Sequence, residues 1–229
     1  MTIFERRAAD YDAWYDTPTG AAVFAEEVDA LRPLMDGLPC PWLEVGTGSG
    51  RFASALGVAT GLDPATPALR LARRRGIRAV AGAGESLPVR SRSLGAVLLV
   101  VTLCFVRDPA AVITEARRVL VPNGGAVFGV VPAESPWGRH YRSLAAAGHP
   151  YYRLARFYSV AEVMAALGAA DLVVSRVRSS LLWPPEASPP SSQRVREGWD
   201  PEAGFAAVLA VPGTTPRPSF SKRLFTHRR

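Results

Sequence analysis

The sequence predicts an α/β fold: a doubly wound, mostly parallel seven-stranded sheet with an antiparallel last strand. Three observations carry that prediction. Short apolar runs alternate with helical patterns from Trp42 onward, the first run ends in the glycine cluster Gly46-Thr-Gly48-Ser-Gly50, and the last two apolar runs are joined by a stretch with no helical pattern. Strand-helix alternation favours parallel neighbours, and a final pair of strands without an intervening helix favours an antiparallel end.

Taken in order, residues 21–35 place Ala22, Val23, Ala25, Val28, Leu31 and Leu34 at helical spacing before Gly37 and Pro39 end the pattern. Residues 42–45 form a short apolar strand, and residues 52–56 resume a helix after the glycines. A second strand at 59–62 closes on Asp63-Pro64, a basic exposed helix covers 68–75, and a third strand covers 77–81. The continuous apolar run 96–105 reads as a strand buried on both faces, the expected centre of a parallel sheet. Asp108 and Pro109 suit the cap and first turn of a helix reaching Leu120. Residues 122–125 turn the chain into a strand at 126–131. Ser159 and Glu162 make a capping box for a helix over 160–167, stopped by Gly168. The last strands are 172–177 and 205–211, and the proline-rich residues 182–201 between them read as a long loop.

Length and composition bound the function. The 229 residues, 48% hydrophobic and 21% charged, suit one globular domain over 1–211, with a leading lid and helix at 1–36 and an insertion at 132–157. A basic tail at 212–229 holds five of the net seven positive charges and reads as a solvated terminus rather than a nucleic-acid site. Two cysteines, Cys40 and Cys104, are too few for a disulfide framework, and no short-spaced ligand set suggests a metal. No apolar run reaches the ~20 residues needed to span a bilayer, and the N-terminus lacks the apolar stretch of a secretory signal. The expectation is a cytoplasmic protein with no membrane association.

The glycine cluster is the strongest chemical signal, because glycines at the end of a first strand let backbone turn sharply against a ligand. A dinucleotide fingerprint, G-x-G-x-x-G, needs glycine at 51, where this chain has Arg51; G-x-G-x-G fits directly. With Glu44 two residues before Gly46, the segment resembles the first motif of class I S-adenosylmethionine-dependent methyltransferases (the type 11-like family). Gly82-Ala-Gly84-Glu85-Ser-Leu-Pro88 resembles the family's second motif, Val101-Thr102-Leu-Cys-Phe105 its segment after strand four, and Val121-Pro-Asn-Gly-Gly125 its turn before strand five. Two departures stand at Ala83 and Gly95, where many relatives carry aspartate.

That resemblance implies a Rossmann-like methyltransferase fold, S-adenosyl-L-methionine as cofactor, and a set of cofactor-binding residues. Glu44, Gly46, Thr47, Gly48 and Gly50 would border its methionine and ribose, Asp63 and Pro64 the ribose, and Gly84 and Glu85 the adenine. Thr102 would sit beside the methyl group, and Tyr15 or Tyr11 in the leading segment would cover the cofactor. Asp63 also suits a ribose carboxylate by position, at the end of the second strand, or the cap of the helix that follows.

Methyl transfer needs orientation and exclusion of water more than an acid or base, so no catalytic residue is obligatory. Acceptor-site candidates are Trp137, His140, Tyr141 and His149, in the insertion after strand five. The run 101–105 lacks the Asn/Asp-Pro-Pro-aromatic motif of nucleic-acid amino-methyltransferases, which points to a small-molecule acceptor at an O, N or S atom. Two alternatives stay open: a protein that binds the cofactor without turnover, and an NAD(P)-dependent oxidoreductase.

Overall fold

A computed structural model describes residues 3–192 and 194–213. In chain order its helices are α1 (Ile3–Arg6), α2 (Ala8–Trp14), α3 (Pro18–Leu31), α4 (Arg51–Leu56), α5 (Thr66–Arg74), α6 (Pro109–Val119), α7 (Pro136–Ala146) and α8 (Val160–Ala169), with short 3-10 turns at Arg32–Leu34 and Tyr152–Leu154. Its strands are β1 (Trp42–Val45), β2 (Thr60–Asp63), β3 (Arg78–Ala81), β4 (Leu94–Val100), β5 (Leu120–Val130), β6 (Leu172–Ser180), β7 (Arg196–Glu197) and β8 (Phe205–Pro212).

All eight strands join one sheet in the order β3-β2-β1-β4-β5-β8-β6-β7. β1 to β5 pair in parallel, and β8 runs antiparallel to both β5 and β6. The continuous apolar run puts β4 at the centre, buried along its whole length. Because side chains alternate along a strand, Ala96, Leu98 and Val100 enter the core beneath α3 and α4, while Val97 and Leu99 enter the core beneath α6 and α8. Leu43 and Val45 of β1 join the second core, which turns Glu44 toward the α4 side.

Several boundaries differ from the sequence reading, each for a visible reason. The central strand stops at Val100 rather than Phe105, because Val101 takes a φ of +49° and reverses the chain. The helix expected over 21–35 starts at Pro18, capped by Thr17, whose Oγ1 accepts from the Gly20 amide at 3.0 Å. Residues 122–125 are part of β5 rather than a separate turn, carried in a register shift where Leu94 pairs with Leu120 but Ala96 pairs with Gly125. The proline-rich segment contains two residues of ladder, β7, which adds an eighth strand at the β6 edge. The insertion holds a full helix, α7, with Ser135 as cap and Pro136 in its first turn. The predicted capping box is present, with Ser159 and Glu162 bonded reciprocally. The basic tail lies, from residue 214 on, outside the described residues.

Gly95 also has a structural reason. A side chain there would overlap the Pro39 carbonyl, and the Gly95 amide donates to the Pro41 carbonyl at 2.9 Å, so aspartate does not fit.

Candidate active site

The glycine turn joins β1 to α4, and its three glycines have positive φ: +73° at Gly46, +54° at Gly48 and +78° at Gly50. L-residues rarely adopt that region, which is why the pattern is glycine at every second position. The Gly46 and Thr47 amides donate to the Leu62 carbonyl at 2.7 and 3.1 Å. Glu44, 1% exposed, accepts the Thr47 hydroxyl at 2.6 Å and the Ala53 amide at 3.0 Å through Oε2. Burial pushes its carboxyl up to about 8 against those two hydrogen bonds. Glu44 therefore fastens the turn to the first residues of α4.

Asp63 ends β2 directly opposite the turn. Its Oδ2 accepts the Gly48 amide at 2.9 Å and its Oδ1 the Ala65 amide at 2.8 Å. Ala65, not Asp63, caps α5; the Oδ1 contact is a local turn closed by the side chain. Burial raises the Asp63 carboxyl while the two amides lower it. No ion pair reaches Asp63 among the described residues, so lone pairs remain for further donors. Next to it, the space over Gly48 is open: a side chain there would meet nothing within 4 Å.

Thr102 follows β4, buried, with Oγ1 donating to the carbonyls of Val100 and Val45 at 3.0 and 3.2 Å. A Cβ on Gly46 would come within 2.4 Å of the Thr102 side chain, so turn and β4 end abut directly. Gly84 lies under the sheet edge against Val45 and Val112, Glu85 Oε1 accepts the Arg107 amide at 3.2 Å, and Pro64 is exposed.

On the far side of Val101 lies a cavity of about 180 Å³, walled by the leading helices, α3, the end of β4 and the insertion. Tyr11, Trp14 and Tyr15 line it from the N-terminal segment, Tyr141, His149 and Tyr152 from the insertion, and Glu27 from α3. Val101 itself, a β-branched residue at positive φ, lines the cavity, and the next residue, Thr102, abuts the glycine turn. Such a conformation costs about 1–3 kcal/mol and is held only where surroundings fix it.

The N-terminal segment is tied down at two points, Asp12 and Arg7. Asp12 pairs with Arg51 at 2.7 Å and Arg75 at 2.9 Å and accepts the Ser49 hydroxyl at 2.5 Å, linking α2 to the glycine turn. Tyr151 donates its hydroxyl to the Arg7 carbonyl at 3.0 Å, linking the insertion to the same segment. Tyr15 lies under Arg51, whose guanidinium carbon is 5.5 Å from the ring centre.

The four acceptor-site candidates separate. Tyr141 and His149 line the cavity. Trp137 packs in the core instead, 2% exposed, its Nε1 donating to the Trp183 carbonyl at 2.8 Å. His140 faces outward, with Nδ1 2.8 Å from Glu186. Sequence reasoning missed two residues, Asp12 and Glu27. For Glu27 a signal existed, since it falls four residues after Val23 and four before Leu31, an acid on the apolar stripe of α3. Cys104 also borders the cavity, its thiol pushed up to about 12 by burial and therefore unreactive.

Residues 43–128 match the methyltransferase domain family. Over 206 residues the chain is 48% identical to a Mycobacterium tuberculosis H37Rv protein described only as uncharacterized, covering 90% of this chain and 72% of that one. A second uncharacterized protein, from Methanocaldococcus jannaschii, is 29% identical over 92% of this chain and 98% of its own. The solved structure of a Thermotoga maritima S-adenosylmethionine-dependent methyltransferase, described as a possible histamine N-methyltransferase, superposes with a TM-score of 0.82 at 32% identity. It covers 91% of this chain and 97% of its own.

Proposed function

The chain belongs to the S-adenosylmethionine-dependent methyltransferases, and from that premise we propose that it methylates an O, N or S atom of a small molecule held in the cavity beyond Val101. One observation carries this reading. Two consecutive residues at the end of β4 meet the glycine turn and the cavity, Thr102 lying against Gly46 and Val101 lining the cavity. A donor seated on the turn and an acceptor seated in the cavity then meet at the end of β4.

The residues present fit that cofactor. Asp63 offers a carboxylate with unused lone pairs for the two hydroxyls of a ribose, and the open space over Gly48 leaves room for backbone-close approach. Glu44, Gly46, Thr47 and Gly50 shape the turn, Thr102 closes it from the β4 side, and Gly84 and Glu85 border the adenine end beside Pro64. Tyr15, held under Arg51, covers the site from the N-terminal segment. S-adenosylmethionine, when bound, supplies an electrophilic methyl group on a sulfonium.

The protein's own contribution is orientation and dryness. Aromatic rings from two separate segments close over the cavity and keep bulk water from competing as acceptor. Holding two reactants in line can lower a barrier by about 7–11 kcal/mol. Its volume, below that of a drug-sized pocket, suits a small molecule rather than a polymer. Residues 1–211 form one domain in this reading, with 1–36 as lid and first long helix and 132–157 as acceptor wall.

Release of S-adenosylhomocysteine from a panel of amines, phenols, thiols and carboxylic acids tests the proposal. Turnover of at least one class above the acceptor-free blank is expected. Cofactor binding without turnover of any class would favour a binding protein that keeps the fold.

A further inference from the structure

The cavity wall holds a buried acid with no hydrogen-bond or ion-pair partner among the described residues. Glu27 is 3% exposed, on α3, and lines the cavity. Its neighbour Glu26 is equally buried but satisfied, with Oε2 accepting the Leu181 amide at 2.9 Å and Oε1 accepting Trp183 Nε1 at 3.0 Å. No hydrogen bond or ion pair reaches the Glu27 carboxyl among the described residues. A buried carboxylate in apolar surroundings is costly until a cation or donor pairs with it.

The rest of the wall matches a cation. Tyr11, Tyr15, Tyr141 and Tyr152 surround the site, and ring faces attract ammonium groups. Among the described residues, His149 Nδ1 is a buried polar atom of the wall with no hydrogen-bond partner. Burial lowers the His149 pKa, so its imidazole stays neutral near pH 7 and offers an acceptor lone pair rather than a competing charge.

Resting on the methyltransferase reading above, we propose that the acceptor is an amine entering as its ammonium ion, and that Glu27 is a catalytic residue that pairs with this ion and takes its proton. The ammonium N–H bond breaks with its electron pair left on nitrogen, and the proton moves to a Glu27 carboxylate oxygen. The nitrogen pair then forms the new N–C bond as the S–C bond breaks, its electrons returning to sulfur, which ends as a neutral thioether. The product leaves as the methylated ammonium, and Glu27 returns its proton to water. A neutral alcohol or thiol offers the ionised form of Glu27 no counter-ion, so only a cationic acceptor favours that form.

The groups facing Glu27 support this division of roles. Burial first, then the adjacent Glu26, raises its carboxyl to about 8, nearer to an amine's proton affinity than an ordinary carboxylate. Burial keeps Tyr11, Tyr15, Tyr141, Tyr152 and Cys104 protonated and neutral. Asp10, the remaining acid of the wall, is exposed at its rim.

The test uses calorimetry on the full chain, with and without saturating S-adenosylhomocysteine, titrating tetramethylammonium and the neutral tert-butanol of similar size. Wild type is expected to favour the cation by about ten-fold or more, the preference growing from pH 6 to pH 9 as Glu27 ionises. Glu27→Gln should abolish both the preference and its pH dependence. Equal affinities, or a wild-type preference that does not grow with pH, overturn the assignment even where the variant folds poorly. In the acceptor panel, amines should be turned over and Glu27→Gln should lower kcat by about 10²-fold; turnover confined to phenols, thiols or carboxylic acids overturns the amine class. Failure to bind S-adenosylhomocysteine would sink the methyltransferase reading, while the cation titration on ligand-free protein still decides the role of Glu27.

Discussion

Glu27 and Glu44 are carboxyls raised by burial from 4.5 to about 8, whereas Asp12 moves the other way. Burial opposes its charge, but hydrogen bonds from Arg51, Arg75 and Ser49 overcome that and hold it at about 2, below its ordinary 3.8. The consequences for stability have opposite signs. Between pH 4.5 and 8 the folded chain binds more protons at the two glutamates than the unfolded chain does, so stability falls as pH rises through that window. The Asp12 contribution is present above pH 3.8 and is lost as pH falls toward 2. The ligand-free protein should therefore melt highest near pH 4 and progressively lower toward pH 8, and Glu27→Gln should flatten the decline. A melting temperature that climbs steadily from pH 5 to pH 8 would show that these carboxyls are not buried as described. Glycine positions were readable at this scale because positive φ demands glycine; the unpaired Glu27 was not, because its consequence depends on what the insertion folds against.

Element boundaries were legible where local chemistry sets them. Asp108-Pro109 and Ser159 with Glu162 cap α6 and α8 as their sequences require, and a comparable cap-and-proline pair, Ser135-Pro136, opens α7 inside the segment read only as an insertion. The apolar run 96–105 gave no sign of its reversal at Val101, since backbone strain is set by tertiary contacts rather than by composition. The N-terminal segment shows the same limit. Tyr11 and Tyr15 suggested a cover, but the anchor is the Asp12 network to Ser49, Arg51 and Arg75, joining residues 37 to 63 positions apart. Removing it with Asp12→Ala should lower the opening free energy of residues 3–17 by about 1–3 kcal/mol, the scale of hydrogen bonds to a charged group. Hydrogen exchange would register this as faster amide exchange in that segment with β4 unchanged. Undiminished protection of 3–17 would mean that the segment is held by its apolar contacts alone.

The whole molecule follows from one central strand. Because β4 is apolar on both faces, helices must cover both, and the parallel order places every strand end of β1, β2 and β4 at one edge, where ligands bind in such sheets. The parallel half and the antiparallel end were legible from alternation alone; the β5 register shift and β7 were not, because they arise from pairing between distant strands. On that edge the account rests on Asp63 facing the glycine turn. Calorimetric titration of S-adenosylhomocysteine and of NAD into wild type and Asp63→Ala tests it most directly. The account predicts that wild type binds S-adenosylhomocysteine but not NAD, and that Asp63→Ala weakens binding by about 1–3 kcal/mol. Binding of NAD with no response to S-adenosylhomocysteine, or equal S-adenosylhomocysteine affinity in the variant, would contradict it.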